Sequence, residues 1–281
     1  MAKTRRLIKE NLRYTDIVIE LLDARIPLSS RNPEIASLVG EKPLLTLLNK
    51  STTADPAVTS SWIKAYRDEG KFALDVDCIS GSNISKISAA VREILKEKIA
   101  KNESRGMAGK QLRAMIVGIP NVGKSSLVNK LSKSKKAKVE DRPGVTLNKQ
   151  WISTDLGFDL LDMPGVLWPK FEDRTTGENL ALTGAIKDTI LDTEELGSIL
   201  CLRLCSRYPE LFFARYKLSE DSVKDKKGYE ILEEVGRKRG HLMAGGEINT
   251  ERTALMLLDE FRGCKIGRIS LEKPEDRNDR S

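Results

Sequence analysis

A glycine-bearing stretch near the middle of the chain has the residue types and spacing that suit phosphate binding. Gly118 is followed by four residues and then by Gly123-Lys124-Ser125, with Ser126 next. A short apolar run precedes it and predicts a buried strand, and helical spacing follows it. A strand, a glycine turn and a helix N-terminus direct several backbone N–H groups to one point, which suits a chain of phosphates. Lys124 can reach the outer phosphates, and the Ser125 hydroxyl can hold Mg²⁺.

Three further loops carry polar residues, and two of them follow apolar runs that predict strands. Asn49-Lys50 follows one run, Asp162-Met163-Pro164-Gly165 follows another, and Thr146 lies in a Pro-Gly-Val-Thr loop. Asp162 can hold the shell of a Mg²⁺ ion, the Gly165 N–H can sense a γ-phosphate, and Thr146 can close on both and let go after hydrolysis. The Asn49 amide can bridge loops and touch a base, while the Lys50 stem lies along the base. Each loop alone is a weak signal, but the four together predict one nucleotide site.

The elements that position these loops alternate along the first part of the chain. We expect strands at residues 16–22, 43–48, 72–79 and 114–117 and an antiparallel pair at 149–153 and 158–161, with helices at 2–14, 32–39, 57–69 and 83–100. This alternation predicts an α/β sheet that binds ligands at the carboxyl ends of its strands. From residue 177 onward only helical periodicities follow. We therefore predict two domains, one over residues 1–168 and an all-helical one over residues 175–281.

Composition limits the class of protein and the kind of partner. The 281 residues are 40% hydrophobic and 32% charged. No apolar run approaches the ~18 residues of a membrane helix, so we expect a soluble protein without a membrane partner. The 48 basic and 41 acidic residues give a net charge of +7, which favours a polyanion such as RNA, although a solvated basic surface explains the same charge. The four cysteines form no CxxC pair, which favours the reducing cytoplasm.

Basic residues are spread over the predicted helical domain. They are Arg237, Lys238, Arg239, Arg252, Arg262, Lys265 and Arg268. This set suits RNA phosphates. A solvated helical face is an equally good interpretation of the residues alone.

The order of the loops resembles that of a known family. Asn49-Lys50 and Ser80-Gly81-Ser82 stand where GTPases have their NKxD and Ser-Ala-Lys elements, but here they precede the phosphate loop. The chain thus resembles a circularly permuted GTPase. With Asp23-Ala24-Arg25-Ile26-Pro27 and the C-terminal Gly267–Glu272, it resembles the bacterial ribosome biogenesis GTPase A family over essentially its whole length. The fold this implies is a circularly permuted P-loop GTPase, with a mostly parallel sheet flanked by helices and a C-terminal all-helical domain.

The resemblance also implies a function and a set of site residues. The implied function is that of a GTP-dependent switch that acts as a monomer and binds ribosomal RNA or pre-ribosomal particles. It assists late assembly of the large (50S) ribosomal subunit and hydrolyses GTP to GDP. Nucleotide contacts fall to Asn49, Lys50, Ser80, Asn121, Val122, Gly123, Lys124, Ser125, Ser126 and Gly165, catalysis to Lys124, Thr146 and Gly165, and Mg²⁺ to Ser125, Thr146 and Asp162. Asn121 matches the position that helps to place a K⁺ ion.

Three departures from the family pattern affect the site. Thr52 stands where NKxD has an acid, which leaves guanine donors without their acceptor at a cost of roughly 1–3 kcal/mol. We hypothesise that Asp55 replaces that acid. Ser80-Gly81-Ser82 lacks the lysine of the Ser-Ala-Lys pattern, and the histidine-bearing tract usual at the start of the family is not seen.

Val166 occupies the position of the water-orienting Gln of Ras-like enzymes, so we expect slow hydrolysis until a partner or K⁺ assists.

Other functions stay open at this point. One is an RNA-binding assembly protein with a degenerate nucleotide site, for which Thr52 is the main argument. Another is a permuted GTPase that serves an organelle ribosome. An ATP-dependent kinase is disfavoured, because the order of the loops does not fit one.

Overall fold

The computed structural model describes residues 2–132, 151–163, 165, 173–186 and 192–280. The chain divides into two compact units. Unit 1 contains Met1–Glu172 and Glu272–Ser281, and unit 2 contains Asp173–Leu271. The sequence pattern predicts a helical domain from residue 175 to the C-terminus. The structure instead groups the last ten residues with unit 1.

Unit 1 is built on a six-stranded sheet with the order β3-β2-β1-β4-β6-β5. The strands are β1 (Ile17–Asp23), β2 (Leu44–Asn49), β3 (Phe72–Asp75), β4 (Leu112–Val117), β5 (Trp151–Ser153) and β6 (Phe158–Asp162). All neighbours pair in parallel except β5, which is antiparallel to β6. The predicted fold class, a mostly parallel sheet flanked by helices, is therefore confirmed.

One helix precedes the first strand, and others follow the strands along the chain. They are α1 (Ala2–Leu12), α2 (Pro33–Val39), α3 (Pro56–Asp68), α4 (Lys86–Ile94), α5 (Lys96–Ser104) and α6 (Lys124–Leu131). β1 is buried along its whole length, as expected for a parallel strand covered on both faces. Its one internal acid, Glu20, is paired with Arg31 at 2.7 Å between Oε2 and Nη2. That pairing is what permits a carboxylate inside the sheet.

The strand order places a crevice between β1 and β4. From β1 the chain proceeds outward through β2 and β3 on one side, whereas on the other side of the sheet β6 lies beside β4 and β5 forms the edge. In open α/β sheets such a reversal is where ligands bind, at the carboxyl ends of the strands. In register, Asp23 at the end of β1 lies beside Asn49 at the end of β2. The glycine-bearing loop that begins at Gly118 leaves β4 at the same edge.

Two elements differ from their predicted extents. The third strand was expected to reach residue 79 but ends at Asp75. The Asp77 carboxylate accepts hydrogen bonds from the backbone N–H groups of Ile79 and Ser80, and such local bonds turn the chain away from an extended course. The helix expected over residues 83–100 is divided into α4 and α5 at Leu95, whose φ of −100° and ψ of 13° interrupt the helical backbone.

Unit 2 is helical in the part that the structure describes. Its helices are α7 (Arg174–Leu182), α8 (Thr193–Arg207), α9 (Pro209–Tyr216), α10 (Glu220–Val223), α11 (Gly228–Arg239) and α12 (Thr250–Arg262). α8 and α12 pack closely, since a Cβ on Gly197 would lie 2.7 Å from the Ala254 Cβ. In the described ranges of both units, no helix combines the length and the apolar character needed to cross a membrane.

The C-terminal segment returns to unit 1 through buried polar contacts. The Glu272 side chain is fully buried, and its carboxylate accepts from the N–H groups of Leu28 at 2.7 Å and Ser29 at 3.1 Å. The Trp62 indole N–H donates to the Glu272 carbonyl at 3.1 Å. Arg277, in a 3₁₀ helix over Pro274–Arg280, lies over the Trp62 ring at 4.7 Å. These contacts explain why residues 272–281 belong to unit 1.

Candidate nucleotide site

Two glycines shape the loop between β4 and α6. A Cβ on Gly118 would lie 2.6 Å from the carbonyl oxygen of Leu21 in β1, so only glycine permits this close approach. Gly123 caps the start of α6 with a φ of 104°, and a Cβ there would lie 2.3 Å from the Asn49 Nδ2. The left-handed backbone and the close neighbour both require glycine. The loop therefore directs the backbone N–H groups of the first turn of α6 to the crevice edge.

Lys124 folds back over this loop. The side chain is buried, and its Nζ donates to the carbonyl oxygens of Gly118 at 3.1 Å and Ile119 at 2.6 Å. Gly165 lies against the same group, because a Cβ on Gly165 would stand 2.8 Å from the Lys124 Nζ and 2.8 Å from the Pro120 nitrogen. The glycine that follows β6 thus meets the lysine that follows β4, as a shared phosphate site requires.

Exposed polar side chains border the lysine. Asn121, with a φ of 57°, is exposed, and so are Ser125 and Ser126 in the first turn of α6. Val122 is buried beneath them. Hydroxyls at a helix N-terminus, next to a lysine and a glycine loop, fit a phosphate chain and a hard cation.

Asn49 connects the loops of three strands. It is buried at the end of β2. Its Nδ2 donates to the Val122 carbonyl at 2.7 Å, and its Oδ1 accepts from the Cys78 N–H at 3.0 Å. One amide thereby joins the loop after β4 to the loop after β3. Its contact with a base stays a prediction.

Lys50 is held by a buried acid at the end of β1. Its Nζ lies 3.0 Å from the Asp23 Oδ2, and the Arg25 Nη2 lies 2.8 Å from the same oxygen. Burial alone would raise the pKa of Asp23, but the charges and hydrogen bonds of Arg25 and Lys50 outweigh it and hold that pKa well below its ordinary value. The Asp23–Pro27 motif therefore fixes the lysine beside Asn49, a role that its sequence does not reveal.

The structure adds one acid that the sequence analysis did not single out. Asp77 is 4% exposed, and its Oδ2 accepts a hydrogen bond from the Thr52 hydroxyl. Its Oδ1 accepts from Ile79 and Ser80 at 2.9 and 2.8 Å. Burial would raise the pKa of Asp77, but the bonds from Thr52, Ser80 and Ile79 outweigh it and lower that pKa below its ordinary value. The available signal was position, since Asp77 directly precedes the Ser80 loop near the end of a strand.

The hypothesis that Asp55 replaces the missing acid does not fit its contacts. Asp55 caps α3, and its Oδ1 accepts from the N–H groups of Ala57 at 2.8 Å and Val58 at 3.3 Å. A helix cap of this kind stabilises the helix start by ~1 kcal/mol. The Oδ1 atom of Asp55 is therefore engaged by the start of its own helix.

Comparison with known proteins identifies the family. A family model described as 50S ribosome-binding GTPase matches residues 113–201. Ribosome biogenesis GTPase A of Bacillus cereus is 45% identical over 98% of this chain and 92% of its own length. That of Priestia megaterium is 46% identical over 98% and 95%. This chain belongs to the ribosome biogenesis GTPase A family.

Solved structures agree with this assignment. A crystal structure of GNP-bound YlqF from T. maritima aligns with a TM-score of 0.63 and 27% identity, covering 97% of this chain and 99% of that one. A GDP-bound structure of TM YlqF gives 0.66 and 28%. The family predicted from the sequence is confirmed, and the chain is a P-loop GTPase that binds guanine nucleotide.

Some predicted site residues of this GTPase lie partly or wholly outside the described residues, and Ser80 is bonded to Asp77. Thr146 and Val166 lie outside the described residues. Asp162 is described as the last residue of β6, in register with Ile116 of β4, and its side chain lies outside the description. Ser80 is exposed, and its N–H is bonded to Asp77. The site therefore brings together Asn49, the phosphate loop and Gly165, while the roles assigned to individual residues stay predictions.

Proposed function

We propose that this GTPase is a GTP-dependent switch that binds ribosomal RNA or pre-ribosomal particles. It assists late assembly of the large (50S) ribosomal subunit in the cytoplasm, and it acts as a monomer. The observation that carries the nucleotide half of this proposal is the bridge from Asn49 to the Val122 carbonyl at 2.7 Å. It joins a base-reading loop to a phosphate-binding loop, as a single nucleotide spanning both requires.

The residues fit a metal-assisted hydrolysis of GTP to GDP. Ser125 presents a hydroxyl at the start of α6, and Asp162 ends the strand beside β4, so these two and Thr146 would hold Mg²⁺. Held by these residues, Mg²⁺ would supply positive charge next to the phosphates and so favour their transfer. Asn121, exposed beside the phosphate loop, would help to place K⁺. Hydrolysis is slow for the chain alone, because Val166 cannot orient water, and a ribosomal partner or K⁺ accelerates it.

The basic residues of unit 2 separate into partly buried and exposed ones, and this division refines the RNA-binding half of the proposal. Arg262 donates to the carbonyl oxygens of Leu182 and Ala181 near the end of α7. Arg239 lies over the Tyr216 ring at 4.9 Å. The remaining residues of the set are exposed and are the ones that would meet RNA phosphates: Arg237, Lys238, Arg252, Lys265 and Arg268.

The test is co-sedimentation with purified ribosomal subunits in the presence of GDP or a non-hydrolysable GTP analogue. We expect the analogue-bound protein to pellet with large subunits and the GDP-bound protein to remain mostly in solution. Equal pelleting with both nucleotides, or pelleting with small subunits only, would refute the switch. The paired substitutions Arg237→Glu and Lys238→Glu should reduce pelleting. Lys101→Glu with Lys110→Glu, two exposed positions in unit 1, changes the net charge equally and serves as the control.

A further inference from the structure

The acid that normally reads guanine is absent from the Asn49-Lys50 loop, and the structure contains a replacement. Resting on the proposed guanine-nucleotide function, we propose that Asp77 and Thr52 together accept the hydrogen bonds of the guanine ring, with Thr52 positioning the carboxylate. In this proposal, the acid that binds guanine lies in the loop after β3 instead of the loop after β2.

The position of Asp77 supports this assignment. Its Oδ2 is bonded to Thr52, the residue at the NKxD acid position. Its Oδ1 is bonded to the backbone of Ile79 and Ser80, in the loop that matches the second base-binding element. The next residue, Cys78, donates its N–H to Asn49 at 3.0 Å. Asp77 is therefore fixed by both loops expected to surround the base, next to the amide that joins them to the phosphate loop.

The lone pairs of this pair match the donors of guanine. A carboxylate offers about four acceptor directions. The two N–H groups take those of Oδ1, and the Thr52 hydroxyl takes one of Oδ2. The Ser80 side chain also donates to this carboxylate, and in the proposed complex guanine takes its place on Oδ2. Thr52 is exposed, and because it gives its proton to Asp77, its oxygen presents lone pairs outward. Two adjacent acceptors thus face the two donors of guanine, the ring N–H and the 2-amino group. Adenine has an acceptor at that ring nitrogen, and the pair would repel it.

The other acids near these loops are bonded elsewhere. Asp55 caps α3 through Ala57 and Val58. Asp75, the last residue of β3, accepts a hydrogen bond from the Asn83 side chain at 2.8 Å. Asp75 lies on the same segment as Asp77 but lacks the bond to Thr52 that carries the argument. It therefore provides a matched control.

The experiment compares affinities for GDP and for xanthosine diphosphate, which has a carbonyl in place of the 2-amino group. Asp77→Asn keeps an acceptor for the Ile79 and Ser80 N–H groups but places a donor toward the base. We expect it to weaken GDP binding about 5- to 150-fold, the effect of an unpaired buried hydrogen-bonding group, and to strengthen xanthosine diphosphate binding. Asp75→Asn should leave the ratio of the two affinities unchanged. The double change Thr52→Asp with Asp77→Asn should restore the preference for GDP.

The possible results are distinguishable. If the parent protein binds no guanine nucleotide, the proposed function itself fails. If the parent binds GDP and Asp77→Asn keeps the parent's preference, the proposal about Asp77 is overturned while the function stands. If Asp77→Asn binds neither nucleotide, the double variant decides: recovery of GDP binding supports the exchange of acid position, and its absence overturns it.

Discussion

Glu272 offers a direct test of how the end of the chain stabilises unit 1. Its carboxylate is fully buried and accepts hydrogen bonds from the Leu28 N–H, the Ser29 N–H and the Ser29 hydroxyl. Glu272→Ala removes every one of these acceptors. Two backbone N–H groups then lose a partner some 240 residues away in sequence.

The expected loss follows from the number of groups left unpaired. Each buried donor without a partner costs roughly 1–3 kcal/mol, and water entering the vacated space reduces the sum. We therefore expect the free energy of unfolding of unit 1 to fall by about 2–4 kcal/mol. With a urea m-value of about 2 kcal/mol/M, this lowers the unfolding midpoint by ~1–2 M. Glu272→Gln should have an intermediate effect, because one acceptor oxygen is retained and the other becomes a donor that faces donors.

Tryptophan fluorescence during urea unfolding is the appropriate assay. All three tryptophans, Trp62, Trp151 and Trp168, belong to unit 1, so the signal reports that unit alone. Glu275→Ala changes an exposed acid of the same C-terminal segment and should stay within about 0.5 kcal/mol of the parent. If Glu272→Ala unfolds at the same urea concentration as Glu275→Ala, the buried carboxylate does not stabilise unit 1 and the reasoning fails.

Three further predictions concern the site and unit 2. Asn49→Ala leaves the Val122 carbonyl and the Cys78 N–H unpaired and should weaken GDP binding tenfold or more. The control Asn129→Ala, on the exposed side of α6, should bind GDP as the parent does. Equal affinities of the two variants in a titration with fluorescent GDP would contradict this prediction. Gly165→Ala places a Cβ 2.8 Å from the Pro120 nitrogen and should weaken the binding of a GTP analogue by roughly tenfold. The same change should weaken GDP binding much less, and an equal loss of affinity for both nucleotides would count against a γ-phosphate role for Gly165. The Arg215 and Tyr216 hydrogen bonds hold the pKa of Glu260 below its ordinary value of 4.5 against the effect of burial, so the stability that the Glu260 carboxylate contributes is present above that value and is lost as the pH falls through the lowered pKa. The difference in unfolding free energy between the parent and Glu260→Gln, followed by circular dichroism, should be roughly 1–3 kcal/mol at neutral pH and should shrink below pH 4.5. A difference that stays constant with pH would argue against the shift.

Local patterns were enough to predict much of the fold. β1 and β2 are mostly apolar and end in the polar residues Asp23 and Asn49, and the apolar run of β4 is followed directly by Gly118; these residues mark the loops. The phosphate loop carries its own requirements, since Gly123 must adopt a positive φ and Gly118 must approach β1. Such requirements can be inferred from residue type and spacing. The family resemblance added the order of the loops, which no local pattern provides.

The features that were missed depend on contacts between distant residues. The bond from Thr52 to Asp77 joins the ends of two neighbouring strands, and an acid near a strand end does not reveal its partner. Glu272 looks in sequence like the end of the helical domain, yet its carboxylate is buried against Ser29. The helix is also divided at Leu95 without a glycine or proline there that would predict the division from the sequence. In each case tertiary packing, which the sequence alone does not display, decides the outcome.

One loop connects two of these features. The segment from Asp23 to Ser30 holds Lys50 at one end through the Asp23 carboxylate, and at the other end it meets Glu272 through Ser29. The Ser30 hydroxyl accepts from the Asp23 N–H at 3.0 Å, so the two ends of the loop are themselves joined. A ligand that orders Lys50 therefore also orders the loop against which Glu272 is buried. Because binding and conformational order are reciprocally linked, Glu272→Ala should weaken GDP binding as well as destabilise unit 1, and a variant that lost stability without any loss of GDP affinity would show that the loop does not transmit between them.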